Sequence, residues 1–264
     1  MSEFSFDFGE DALKGKTILV AGGSGGLGSA AVALLAREGA EVVCGYHSNQ
    51  ERAEDLKDHC RRHYDAEIHL VQGDLRLPEV RERYLETAES VGGGLYGLVV
   101  YTGDPGRVKF DQVTLDDLHD SMTRNYYAPI LLAREAANRM IEKETPGAIV
   151  FFSTMQAVAP FDSSINYAGP KTALIQAMRV MAKQWGGPQN IRVNAIAPGV
   201  NKAGMALKSI ASGKYDFFVD EGIIPRFGRP EDTARAVRLL LHPDNYITGQ
   251  LLTIDGGLTL RRDK

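Results

Sequence analysis

The chain has 264 residues, of which 44% are hydrophobic and 24% are charged, so it is long enough for one large domain with a well-buried core. Its formal net charge of −4 excludes the basic surface typical of nucleic-acid binding. The sequence has no apolar run long enough to cross a bilayer, and segment 1–10 lacks the pattern of a signal peptide. Two cysteines, Cys44 and Cys60, form neither a disulfide framework nor a metal-binding spacing. We therefore expect a cytoplasmic protein with no metal, nucleic-acid or membrane partner.

Short β-branched runs alternate with amphipathic helical patterns from about Lys16 to the end of the chain. This alternation is typical of parallel strands joined by crossover helices. The expected strands are at residues 17–20, 41–45, 67–71, 95–101, 147–152, 191–196 and 251–254. We predict an α/β fold in one domain over residues 1–264, with about seven strands in a doubly wound parallel sheet and helices on both faces.

A glycine-rich turn, 21–28, follows the first predicted strand and leads into an amphipathic helix. Glycines at such a junction allow a tight turn and let a pyrophosphate approach the backbone and the positive end of the helix. Many loops are rich in glycine, but the strand before and the helix after are the context that this motif requires. The pattern predicts nucleotide binding by Gly22, Ser24, Gly25, Gly26, Leu27 and Gly28.

The second predicted strand runs into Tyr46, His47, Ser48 and Asn49. In dinucleotide-binding folds an acidic residue here binds the ribose 2′-hydroxyl and would repel a 2′-phosphate. The first acid is Glu51, whereas the three preceding polar side chains can donate hydrogen bonds to a phosphate. The pattern favours NADP(H) over NAD(H), although no arginine or lysine occupies these four positions. The alternative is a solvated turn in which Ser48 or Asn49 caps the next helix.

Asp74 and Leu75 follow the third predicted strand, at the edge of the sheet where ligands bind in such folds. Asp74 is suited to accept a hydrogen bond from an adenine amino group. The alternative is that Asp74 caps the helix expected to begin near Pro78.

A capping box at Thr114 predicts a long helix with a buried stripe every fourth residue. The stripe residues are Leu118, Met122, Tyr126 and Ile130. Asn125 lies beside this stripe. Taken alone, it is an ordinary helix residue.

Tyr167 and Lys171 are spaced i and i+4 at the start of another predicted helix, so they lie on one face. An ammonium held beside a phenol favours the phenolate and lowers the phenol's pKa. The tyrosine can then exchange a proton with an alcohol or a ketone. Pro170 is tolerated if it lies in the first helical turn. An apolar stripe follows at helical spacing and indicates either core or subunit contact: Leu174, Met178, Met181 and Trp185.

The pattern becomes irregular over residues 200–224, between the sixth predicted strand and the next helix. A long segment in this place is a candidate substrate lid. We expect this segment and the loop 103–113 to determine the substrate.

Taken in order, these motifs resemble those of the short-chain dehydrogenase/reductase family, from Lys14 to about Leu258. The TGxxxGxG turn is matched by residues 21–28, with alanine in place of threonine, and the YxxxK motif by Tyr167 and Lys171. The helix asparagine matches Asn125. Further matches are Pro198-Gly199 and the segments 227–232, 247–250 and 255–257.

The resemblance implies a Rossmann-type fold that binds NAD(P)(H) and an Asn-Ser-Tyr-Lys tetrad. Tyr167 would act as general acid or base, Lys171 would lower its pKa and bind the nicotinamide ribose, and Asn125 would hold a water. The register places Thr154 in the serine position, and a rotation of the strand end by one residue would give the role to Ser153. The resemblance also implies cofactor contacts from the nucleotide-binding residues above and from Gly103, Pro198, Gly199 and Val200.

Two departures from the family pattern concern the cofactor site. The usual Asn-Asn-Ala-Gly after the fourth strand is Val100-Tyr101-Thr102-Gly103, and the threonine after Pro-Gly has no clear match. Our leading hypothesis is an NADP(H)-dependent carbonyl reductase or alcohol dehydrogenase acting on a small molecule. The chain is most similar in pattern to 3-oxoacyl-acyl-carrier-protein reductases and to sugar or polyol dehydrogenases, and the first of these is the alternative.

A second alternative, prompted by the altered segment Val100-Tyr101-Thr102-Gly103 and by Thr154 in the serine position, is a nucleotide-binding regulatory protein that has lost turnover. The intact Asn125, Tyr167 and Lys171 argue against it. The resemblance further implies a homotetramer or homodimer, assembled through the two long helices that contain Asn125 and Tyr167.

Overall fold

The computed structural model describes residues 12–162 and 164–260, so the lead-in segment 1–10 lies outside the described residues. Seven parallel strands form one sheet in the order β3-β2-β1-β4-β5-β6-β7. The strands are β1 Thr17–Ala21, β2 Glu41–Tyr46, β3 Ile68–Gln72, β4 Leu95–Val100, β5 Gly147–Phe152, β6 Ile191–Pro198 and β7 Leu251–Ile254. The predicted single-domain Rossmann-type α/β fold is confirmed, and every predicted strand occurs within one or two residues of its expected ends.

The strand β1 shows why the sheet carries helices on both faces. Leu19 and Ala21 point into one core, whereas Ile18 and Val20 point into the other. A parallel sheet buried on both sides has apolar residues at successive positions, because side chains alternate between its faces.

The helices lie in two layers over these cores. The longer helices are α1 Gly28–Arg37, α2 Gln50–Tyr64, α3 Pro78–Ser90, α4 Leu115–Met122, α5 Ala128–Glu142, α6 Ile165–Gln189 and α9 Pro230–Leu241; the short ones are α7 Leu207–Ala211 and α8 Asp216–Asp220. Apolar residues of α3, α5 and α6 pack on one face of the sheet, and those of α1, α2 and α9 pack on the other. No described helix is long and apolar enough to cross a membrane.

The two apolar stripes have different environments. The stripe of α6 packs in the core of the subunit, against the sheet. The predicted burial of the other stripe is wrong: Leu118 is 37% exposed, and Met122, Tyr126 and Ile130 are only partly buried. The buried face of α4 and α5 instead carries Ser121, Asn125, Ala128, Pro129 and Leu132. Four-residue spacing identifies an apolar face but does not show whether the same subunit covers it.

The strand order reverses between β1 and β4, which have the glycine-rich turn and the loop 101–109 at their carboxyl ends. In open α/β sheets ligands bind in the crevice at this switch point, because the connections leave the sheet in opposite directions there.

Candidate active site

A cleft of about 680 Å³ lies along the carboxyl edge of the sheet. Its wall includes the glycine-rich turn, the ends of five strands and the beginning of the segment 200–224, which we call the lid segment. With the exception of Val200, every residue predicted to bind the cofactor lines this cleft. The predicted catalytic residues Thr154, Tyr167 and Lys171 line it as well. Val200 is buried in a small apolar cluster with Met155, Phe227 and Leu258. Asn125 does not line the cleft either.

The glycine-rich turn has the close approaches that exclude side chains. Gly22 has φ +80°, and a Cβ on Gly28 would lie 2.5 Å from the Gly22 carbonyl oxygen. A Cβ on Gly26 would lie 2.3 Å from the amide nitrogen of Gly204 in the lid segment. Helix α1 begins at Gly28, so the positive end of its dipole faces this turn. The turn fits a pyrophosphate group.

At the end of β2, the Asn49 side chain accepts a hydrogen bond from the Arg52 amide at 2.9 Å and caps α2. The capping alternative is therefore right for Asn49. Two arginines missed by the sequence analysis, Arg52 and Arg76, also line this end of the cleft. Arg52 lies in the first turn of α2, three residues beyond the positions considered, and a window extended into the helix would have found it. Its guanidinium has no ion-pair partner in the described part of the chain.

Arg76 donates to the Asp74 carboxylate through Nε at 2.9 Å and also contacts Asp120 at 3.3 Å. The hydrogen bond from Arg76 is the main reason that the pKa of Asp74 is lowered to about 2. The idea that Asp74 caps α3 is wrong, because Leu77 holds the cap position without a side-chain bond and Pro78 lacks the N–H that a cap would satisfy. The negative charge of Asp74 is thus compensated locally.

Tyr167 is the third residue of α6, and Lys171 follows one turn later on the same side. Pro170 lies in the second turn of α6, beyond the first turn in which a helix tolerates proline without losing a hydrogen bond. Because proline has no N–H, the carbonyl of Asn166 loses its helical donor, and the Ser121 hydroxyl of α4 donates to that carbonyl instead. This contact joins α4 to the start of α6 directly beside Tyr167.

The Lys171 amine is buried, 5.9 Å from the centre of the Tyr167 ring. It donates to the carbonyl oxygens of Phe152 at 2.9 Å and Thr102 at 3.2 Å. Burial lowers the pKa of Lys171 to about 7. Burial, and to a smaller extent the Asp104 carboxylate, raises the pKa of Tyr167 to about 12. The expectation that Lys171 lowers the tyrosine's pKa is wrong in this structure, because desolvation opposes both charged forms.

Two hydroxyl groups at the end of β5 line the cleft beside Tyr167. The Ser153 hydroxyl donates to the Lys171 carbonyl at 3.0 Å, so its proton is engaged. The Thr154 hydroxyl accepts from the Gln156 amide at 3.3 Å, and its own proton has no acceptor among the described residues. This arrangement favours Thr154 as the donor to a substrate oxygen.

Asn125 lies within a wide π-helical turn, Thr123–Tyr127, that separates α4 from α5. Its fully buried amide donates to the Asp104 carbonyl at 2.9 Å and accepts from the Asp104 amide at 3.1 Å. A Cβ on Gly103 would lie 2.5 Å from the Asn125 side-chain oxygen. Asn125 therefore fastens the loop after β4, and its side chain lies behind the cleft wall.

The fold and the cleft define a dinucleotide-binding α/β protein with a tyrosine–lysine site. Residues 21–259 match the family profile described as enoyl-(acyl carrier protein) reductase. The chain belongs to the short-chain dehydrogenase/reductase family and is an NAD(P)-dependent oxidoreductase.

Relatives of known name cover nearly the whole chain. It is 29% identical to L-rhamnose-1-dehydrogenase of Scheffersomyces stipitis, over 93% of this chain and 96% of that protein. It is also 29% identical to 3beta-hydroxysteroid dehydrogenase 1 of Eggerthella lenta, over 95% of this chain and 96% of that protein. A short-chain dehydrogenase/reductase structure from Serratia marcescens matches with a TM-score of 0.83 at 29% identity, covering 94% of this chain and 99% of that one.

Proposed function

We propose that this protein transfers a hydride between NADP(H) and the carbon of a carbonyl or secondary alcohol in a small molecule. The observation that carries the proposal is the convergence of Tyr167, Thr154 and Lys171 on the cleft that also contains the glycine cradle. The bound nicotinamide supplies or accepts the hydride. Tyr167 donates a proton to the carbonyl oxygen during reduction, or removes the hydroxyl proton during oxidation.

The protonation states support a proton-donating tyrosine at neutral pH. With a pKa of about 12, the Tyr167 phenol keeps its proton. The free Thr154 hydroxyl proton provides a second donor to the same substrate oxygen, so the oxygen is held between two O–H groups as negative charge develops on it. The Lys171 amine donates hydrogen bonds to the carbonyl oxygens of Thr102 and Phe152. These bonds hold the carboxyl ends of β4 and β5 in place relative to Tyr167.

The preference for NADP(H) is supported by the charges at the end of β2. No acidic side chain occupies residues 46–49, and the Asp74 carboxylate is compensated by Arg76. The guanidinium of Arg52 has no carboxylate partner among the described residues, so it is available to a 2′-phosphate.

The test of the proposed reaction is nucleotide turnover with ketones, sugars, polyols and an acetoacetyl thioester. Wild type is compared with Tyr167→Phe and with Tyr127→Phe, whose tyrosine is 47% exposed on the outer side of the π turn. Loss of general acid–base catalysis should reduce kcat roughly 10²- to 10⁴-fold in Tyr167→Phe and leave Tyr127→Phe active. A rate that survives Tyr167→Phe would exclude the assigned chemistry. Binding of NADPH without turnover of any substrate would favour the regulatory alternative.

The test of the cofactor preference compares Arg52→Gln with Arg62→Gln, which lies further along the same helix and donates to the Asp58 carbonyl. Loss of one charge-assisted bond should raise the KM for NADPH roughly 10- to 100-fold in Arg52→Gln and leave the KM for NADH unchanged. The Arg62 variant should match wild type. Equal or faster wild-type turnover with NADH would refute the NADP(H) assignment.

A further inference from the structure

One carboxylate, that of Asp104, stands at the catalytic end of the cleft. Asp104 lines the cleft together with Tyr167 and Thr154 and is exposed to solvent. It forms no ion pair with any described residue, unlike Asp74 at the other end, which is paired with Arg76. An uncompensated negative charge beside the reacting groups attracts hydrogen-bond donors and cations in a substrate and repels anions.

The loop holds this carboxylate in a defined position. The Asn125 side chain donates one hydrogen bond to the backbone of Asp104 and accepts another from it, and the Gly106 amide donates to the Asp104 Oδ1 at 2.8 Å. Asn166, next to Tyr167, donates to the Gly106 carbonyl at 3.0 Å and ties the same loop to α6. The second carboxylate oxygen, Oδ2, accepts no hydrogen bond from the described residues, so it is available to a ligand.

The other charged groups at this end of the cleft do not neutralise Asp104. Lys171 is committed to the carbonyls of Phe152 and Thr102, and Arg124 of the π turn pairs with Asp120 at 2.6 Å. The lid residues that line the cleft carry no charge: Asn201, Ala203, Gly204 and Ala206. Among the described residues that line this end of the cleft, Asp104 is therefore the one negative acceptor that a substrate meets close to the tyrosine.

We propose that Asp104 is a specificity-determining residue that selects substrates with a hydrogen-bond donor, a hydroxyl or a protonated amine, beside the reacting carbon. The inference rests on the proposed function and narrows its substrate class. Polyhydroxy compounds and amino alcohols or amino ketones can donate to Oδ2 while their reacting oxygen contacts Tyr167. Anionic substrates meet repulsion from the same carboxylate, and apolar ketones leave it without a partner.

The test uses one ring scaffold, so that size stays nearly constant. The oxidation substrates are cyclohexanol, 1,2-cyclohexanediol, 2-aminocyclohexanol and 2-hydroxycyclohexanecarboxylate, with NADP⁺ as the oxidant. For the wild type, kcat/KM should be roughly 10- to 100-fold higher with the diol or the amino alcohol than with cyclohexanol or the carboxylate. Comparison of the diol with the amino alcohol shows whether the preferred donor is a hydroxyl or an ammonium group.

Three variants assign this preference to Asp104. Asp104→Ala should abolish the preference, and Asp104→Asn should keep part of the diol preference and improve turnover of the carboxylate. Asp111→Asn is the matched control, because it removes the same charge from an exposed residue of the same loop that does not line the cleft. Equal specificity ratios in wild type and Asp104→Ala would overturn the inference.

A pH profile separates this role from a purely structural one. The titratable groups described at the cleft wall around Tyr167 are Tyr101 and Asp104 of the loop, Lys171 of α6 and Arg124 of the π turn. Because the Asp104 charge raises the pKa of Tyr167, Asp104→Asn should move the rise of the oxidation rate to lower pH. An unmoved profile would count against the inference. Turnover that depends on Tyr167 but lacks a donor preference would refute this inference alone, whereas the absence of any turnover would refute the proposed function as well.

Discussion

The buried amine of Lys171 gives the protein a specific dependence of stability on pH. In the unfolded chain a lysine keeps its proton up to a pKa of 10.5, whereas burial lowers the native pKa of Lys171 to about 7. Between these two values the unfolded chain binds more protons than the native protein. The free energy of unfolding therefore rises with pH in this window, and the destabilisation is largest below pH 7.

The magnitude follows from the two pKa values. Each pH unit corresponds to about 1.4 kcal/mol, so the destabilisation by the buried amine falls from roughly 5 kcal/mol at pH 6 to roughly 2 kcal/mol at pH 9. Lys171→Met removes the titrating group and shortens the unbranched side chain by one atom. The wild type should thus gain roughly 3 kcal/mol more stability than Lys171→Met over this interval.

The assay is reversible urea unfolding at pH 6, 7, 8 and 9 and at one protein concentration. Lys171→Met also leaves the carbonyls of Phe152 and Thr102 without their donor. This loss lowers the free energy of unfolding of the variant by the same amount at every pH, so it does not change how that free energy varies with pH. The thiols of Cys44 and Cys60 titrate in both proteins, so their effect cancels in the difference. Lys183→Met, on the exposed side of the same helix, should keep the wild-type slope. Parallel curves for wild type and Lys171→Met would refute the reasoning.

Two further predictions concern the helices around the site. Ser121→Ala should lower the free energy of unfolding by about 1–3 kcal/mol, because the Asn166 carbonyl loses its donor. The loss should be smaller in a Pro170→Ala background, where residue 170 regains an N–H for that carbonyl. Additive losses of the two substitutions in urea unfolding would contradict this account. For the expected oligomer, Leu118→Lys should reduce the molar mass measured by light scattering, whereas Leu77→Lys, a similarly exposed leucine at the start of α3, should not. A wild-type mass of one 28.8 kDa chain would refute the oligomer itself.

The arrangement of the candidate site was predictable where it depends on short-range spacing. Tyr167 and Lys171 share one face because a helix turn spans four residues, and the glycine turn is specified by a strand, three glycines and a helix in immediate succession. The strand positions were predictable for the same reason, since alternating β-branched and amphipathic runs are local patterns. Burial of the stripe that contains Leu118 was not predictable, because it depends on what packs against α4.

The sequence by itself therefore determined the fold class, the family and the pair of residues at the centre of the site. Tertiary structure decided the protonation of the charged groups at the site. Lys171 is buried and donates to the Thr102 carbonyl, 69 residues away along the chain. The Asp104 amide donates to the Asn125 side chain, 21 residues away. Tertiary structure also decided that the Ser153 hydroxyl proton is engaged, that the Thr154 hydroxyl proton has no acceptor among the described residues, and that Arg76 compensates Asp74. Desolvation and the pairing of hydrogen bonds depend on which distant segments meet in space, and residue spacing along the chain carries no measure of either.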